Sequence, residues 1–148
     1  MFSLMKRIRR RRRDEGGAAL VEFAIIAPLL LLLVLGIIEF GWLLGNTLDV
    51  RHGAREAARQ AAVNAGTVGA MATTACDAMD FSTGQIITFT DGATGKVGDT
   101  ATVAVVMPYN SLTNFMNAFM PANINTQVEI RLEQDSSNWS TGAAPACP

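Results

Sequence analysis

Seven of the chain's twelve basic residues fall within its first thirteen positions (Lys6, Arg7 and Arg9 to Arg13), and the most apolar stretch follows almost at once. Few architectures accept that juxtaposition. A basic cluster beside a long apolar run reads as a membrane address, because Lys and Arg flanking a span stay on the cytoplasmic side. Phe23 to Ile38 is a charge-free run, FAIIAPLLLLLVLGII, about 24 Å long as helix; extended back to Ala18 it reaches about 31 Å. Only the longer version matches a hydrocarbon core of about 30 Å, and it admits one carboxylate, Glu22, near the arginine-facing end. Glu39 and Trp42 stand at the other end as an interfacial charge and an aromatic anchor, and everything beyond Trp42 is directed across the membrane. No small-x-small site follows in EFGWLLGNTLD, so the apolar segment is expected to be retained. A twin-arginine signal is not matched, because the arginines lead into Asp14, Glu15 and two glycines.

The formal net charge of −1 hides this asymmetry: from Ala18 onward five Lys/Arg stand against eleven Asp/Glu. A length of 148 residues allows a helical anchor plus a small domain. Gly without a three-residue period and an apolar fraction of 49% exclude collagen-like and disordered chains.

Beyond the span the helical pattern continues to Asn64-Ala65-Gly66. Alanines 54, 57, 58, 61, 62 and 65 share one face, Arg51, Arg55 and Arg59 lie opposite, and Glu56 is placed to pair with Arg59. Pro28 is expected to bend the rod. A second helix is expected over Val68–Met79, with Met71, Ala75 and Met79 on one face. Gln85–Thr90 and Thr100–Met107 read as a hairpin around the Gly- and Asp-rich DGATGKVGD. Ser111–Phe119 reads as a short helix before Pro121. Ile124, Val128, Ile130 and Leu132 alternate with polar residues as a last strand with one buried face. The tail from Asp135 is expected to be loosely ordered apart from Cys147. The fold class is therefore α+β: a single transmembrane helix running on into a long helix, then a small head with an antiparallel sheet of about three strands.

Residues for catalysis are scarce. His52 is the one histidine and reads as a solvated helix residue; no metal-ligand spacing, phosphate loop or nucleophile motif is present, so no catalytic, cofactor or metal site is assigned and the chain is not read as an enzyme. Cys76 and Cys147 lie on the translocated side, where thiols oxidise. An intramolecular disulfide is the favoured reading, with unpaired, lipidated or intermolecular cysteines as alternatives. Asn138-Trp139-Ser140 has the form of a glycosylation acceptor, a short and unspecific motif. Gly41 and Gly45 have the spacing of a small-xxx-small helix contact, weak by itself. The arginine run is explained by topology and anionic lipid instead of nucleic acid, which is not expected as a partner.

The order of features is informative: a basic cluster, Gly16-Gly17, then Glu22-Phe23 and the apolar run. GGAALVEFAIIAPLLLLLVLGIIEFGWLL closely resembles the N-terminus of TadE-like proteins, pilin-like subunits of tight-adherence (Tad, type IVb) pilus systems. AREAARQAA, the VMPY strand end and the final IRLEQ extend the resemblance more loosely. It implies cleavage by a membrane-embedded aspartyl prepilin peptidase after Gly17, with Ala18 as the new N-terminus, Glu22 fifth and Phe23 sixth. Gly16 is a second glycine, but only Gly17 gives a fifth-position glutamate.

The implied organisation is a cleaved basic leader (1–17), a transmembrane helix (18–45), its periplasmic extension (46–66) and an α+β head (67–148). The implied location is the bacterial inner membrane, single-pass, N-terminus cytoplasmic and C-terminus periplasmic, with incorporation into an extracellular pilus as a later fate. The implied partners are the peptidase, other pilin or pseudopilin subunits, the inner-membrane assembly platform and the lipid bilayer. Cleavage would remove the seven basic residues and leave an α-ammonium, protonated at neutral pH, for a neighbour's Glu22 to neutralise. The resemblance thus implies a minor pilin or pseudopilin; the alternatives are an uncleaved membrane-anchored accessory protein and, more remotely, a membrane-tethered nucleic-acid binder.

Overall fold

The computed structural model describes the backbone of residues 2–80, 83–114 and 116–148, and side chains from Gly16 onward within those ranges. The basic side chains of the first thirteen positions therefore lie outside the described residues, as does Phe115. Two compact units divide between Phe40 and Gly41. Helix α1, Phe2–Ala62, supplies the first unit and the start of the second, and continues through Pro28.

In the first unit nearly all the apolar side chains are exposed, with Ala27 and Leu35 half-buried. Leu20, Phe23, Ile25 and Leu29 are each about two-thirds exposed or more. Each such side chain gains about 1.5–3 kcal/mol on leaving water, so a run of them demands lipid or other helices. Gly16–Ala62 is the one helical stretch among the described residues that is long and apolar enough to cross a membrane. Glu39, expected as an interfacial charge, is instead fully buried.

In the second unit, α1 buries Val50, Ala54, Ala57, Ala58 and Ala61. The alanine face ends sooner than its periodicity suggests: Ala62 is half-buried and Ala65 exposed. The helix ends at Ala62 because Asn64 adopts a positive φ of 51°, a conformation Asn tolerates, and the Ala65 N–H turns back to the Gln60 carbonyl at 3.0 Å. The Thr67 side chain then accepts from the Ala70 N–H and starts α2, Val68–Asp77, which buries Met71, Ala72 and Ala75.

Strands β1 (Ile86–Thr90), β2 (Thr100–Pro108), β3 (Asn123–Arg131) and β4 (Gly142–Ala143) form an antiparallel sheet in the order β3-β2-β1-β4. Alternation places Ile87, Phe89, Ala101, Val103, Val105 and Met107 in one core cluster with the buried faces of α1 and α2. On the edge strand Ile124 is buried while Val128 and Ile130 are half-buried.

Two expectations need correction. Around 111–119 there is no helix among the described residues, only turns and bends. Asn side chains supply the competing bonds: the Ser111 N–H donates to Asn117 Oδ1 at 3.3 Å, Asn117 Nδ2 to Asn114 Oδ1 at 2.8 Å, and Asn114 has φ of 57°. The tail is also packed. Trp139 is buried with its ring 6.1 Å from that of Phe89, Thr141 and Asp91 exchange hydrogen bonds, and β4 adds the fourth strand.

Gly53 marks the closest approach in this core. A Cβ placed there would come within 2.5 Å of Met79 Cγ and Sδ. Gly53→Leu is therefore expected to destabilise the head by about 2 kcal/mol through overpacking. Chemical denaturation should show the loss largely recovered in the Gly53→Leu/Met79→Ala double variant, and equal losses with and without Met79 would contradict the contact.

Candidate functional site

The residues singled out at the N-terminus lie on one face-forming stretch of α1. Gly16 and Gly17 have no atom within 4 Å of a built Cβ, Glu22 is exposed and Phe23 is 66% exposed. Each helical glycine costs about 1 kcal/mol relative to alanine, so adjacent glycines form a local weak point where the helix can open. Ala18 and Glu22 are four residues apart, one turn along the same helical face. Among the described residues Glu22 has no ion-pair partner; the two pairs there are Arg59–Glu56 at 2.6 Å and Lys96–Asp135 at 3.0 Å.

The water-exposed part of α1 carries Arg51, His52, Arg55 and Arg59 outward. Arg59 and Gln60 both donate to Glu56, an exposed arrangement that adds little to stability. At the far end of the head the Thr94 hydroxyl and N–H hold the Asp99 carboxyl below its ordinary range, and the Val97 N–H with Lys96 does the same for Asp135. Both aspartates brace the β1–β2 loop as ionised acceptors. No group of three or more His, Cys, Asp or Glu that could hold a metal occurs among the described residues.

Cys76, at the end of α2, is joined to Cys147 by a disulfide. The Cys147 N–H also donates to the Gln85 carbonyl at 2.9 Å, and its own carbonyl accepts from the Gly84 N–H at 3.1 Å. A half-open pocket of about 160 Å³ lies between α1 and the end of β2, lined by Trp42, Asn46, Thr83 and Met107 to Asn110. Buried Asn46 and Gly53 were not marked by any sequence pattern; an isolated glycine inside a helical run was the one available hint for the latter.

These features define a class: chains with one apolar N-terminal helix able to span a membrane, ahead of a small α+β head. The model of the TadE-like protein family matches residues 17–59, so the family resemblance holds over the segment that carries Gly17, Ala18, Glu22 and Phe23. That match covers 43 of the chain's 148 residues and relates this segment to TadE-like proteins. No curated protein and no solved structure matches the chain.

Proposed function

We propose that the protein is a minor pilin or pseudopilin of a Tad pilus, cut between Gly17 and Ala18 by a prepilin peptidase and packed into an assembly through α1. The observation that carries this reading is the coincidence of a TadE-like segment beginning at residue 17 with an exposed apolar run, 18–38, whose one carboxylate is Glu22, four residues past Ala18.

The chemistry follows from the order of charges. In the uncut chain the basic leader opposes export of the N-terminus. Peptide-bond hydrolysis needs extended backbone, and the Gly16-Gly17 pair lowers the cost of opening the helix there. Hydrolysis frees the Ala18 α-ammonium and discards the leader. In an apolar bundle a neighbour's Glu22 neutralises that ammonium, and a stagger that separates the two strands both charges. Glu22 thereby sets axial register while the apolar side chains of one helix cover those of the next.

Shearing pili from cells and assaying the purified fraction tests this role. The protein, lacking its leader, is expected as a reproducible band in the filament fraction or in its membrane-bound base. Its complete confinement to full-length, filament-free membrane would contradict the reading.

A further inference from the structure

No charged residue occurs between Asp99 and Glu129, and the middle of this stretch, 110–122, connects β2 to β3. The connection is organised. The Tyr109 N–H donates to the Ala122 carbonyl at 2.9 Å across its base, the Met120 N–H to the Met116 carbonyl at 3.1 Å, and the Asn114, Asn117 and Ser111 groups bond one another. Neutral amides supply its side-chain hydrogen bonds, Met116 and Met120 are half-buried, and two of its large apolar side chains face outward: Phe119 is 81% exposed and Leu112 58%. Single exposed apolar residues are ordinary; two large ones on one uncharged loop point to a contact surface.

The loop's position names the contact. At one end of the head the Glu133 and Gln134 N–H groups donate to the Ala62 carbonyl, at the close of α1, and the Ser136 N–H donates to the Gly95 carbonyl. Asp91, Lys96, Asp99, Glu133 and Asp135 belong to these two connected loops. At the opposite end of the β2–β3 hairpin, Met107 to Asn110 share a pocket with Trp42 and Asn46. Trp42 is the residue the sequence sets at the boundary between lipid and water. The loops at the Ala62 end thus carry charged side chains, while the β2–β3 loop at the Trp42 end carries none.

We propose that the β2–β3 loop, 110–122, is a second membrane contact, seating Phe119 and Leu112 among the headgroups and upper acyl chains beside Trp42. Neutral Asn and Ser side chains suit that layer, where an ionised carboxylate would be costly to desolvate. The contact holds the head against the bilayer and must be released when the subunit leaves it. This inference rests on the membrane-anchored reading of α1, and its test separates the two.

Because Cys76 and Cys147 are joined, a third cysteine can be labelled selectively. The full chain would carry a nitrobenzoxadiazole probe at Leu33→Cys, Leu112→Cys, Phe119→Cys or, as the opposite-end control, Thr94→Cys, reconstituted in phosphatidylcholine vesicles with shallow or deep spin-labelled lipid. The expected result is quenching of the 33 probe by deep labels, shorter-wavelength emission and quenching by shallow labels at both 112 and 119, and water-like emission at 94. If 33 is quenched while 112 and 119 behave like 94, the loop contact is refuted and the anchor stands. If 33 is unquenched, the anchor fails and the loop contact with it. Shifted emission at 112 and 119 without lipid quenching means protein covers the loop, which also overturns the proposal.

Discussion

Replacing Cys76 and Cys147 together by alanine is expected to lower the thermal midpoint of the head by about 15 °C, read from the near-ultraviolet signal of the detergent-solubilised protein. The two cysteines are 71 positions apart in sequence. Constraining a loop of that length in the unfolded chain contributes about 4 kcal/mol in the chain-entropy estimate. A domain this small has little reserve from its apolar core. The bond also fixes the C-terminal segment, whose sheet pairing consists of Thr88 with Ala143 and Phe89 with Gly142. Without it the covering of Phe89 by Trp139 depends on that short pairing and the Asp91–Thr141 bonds. Reduction of the wild-type protein should reproduce the loss, and an unchanged midpoint in both cases would show that the bond adds no stability.

Glu22→Gln is expected to leave membrane insertion and leader removal intact while reducing incorporation into the sheared fraction by about 100-fold. The substitution keeps side-chain size and removes only the charge. It leaves the α-ammonium of a neighbouring helix without its carboxylate in an apolar setting, a penalty of several kcal/mol, and each 1.4 kcal/mol corresponds to about tenfold in an equilibrium. Glu22→Asp, which restores the charge on a shorter arm, should recover part of the loss. Wild-type incorporation of Glu22→Gln would remove Glu22 as the register element.

What could be read from the sequence depended on how local the determining interactions are. The long helix was legible because its apolar run and its alanine face repeat over many turns, and its end was marked by Asn64. β1, β2 and β3 were legible from β-branched alternation, within a residue or so at their ends. β4 was not, because two small residues carry no periodicity and owe their pairing to Asp91 on a distant loop. The tail looked loose for the same reason: its order comes from Trp139, Thr141 and Cys147 meeting partners far away in sequence. The 111–119 stretch reads as a helix from Pro121 after its end, but its asparagines bind the backbone and each other more readily than they join a helix. Gly53 shows a further limit, since its reason for being glycine is Met79 on another element. The N-terminal segment is the opposite case. Gly17, Ala18, Glu22 and Phe23 are related by linear spacing alone, and the family match spans that stretch and ends at residue 59, before α2 and the sheet.

The proposed mechanism depends on an amine that exists only if the leader is removed. Intact-mass measurement of the protein extracted from its native membrane, with N-terminal sequencing, tests this most directly. A chain that begins at Ala18 and lacks residues 1–17 is the predicted result; a chain that still begins at Met1 would contradict it and leave an uncut, membrane-anchored accessory protein.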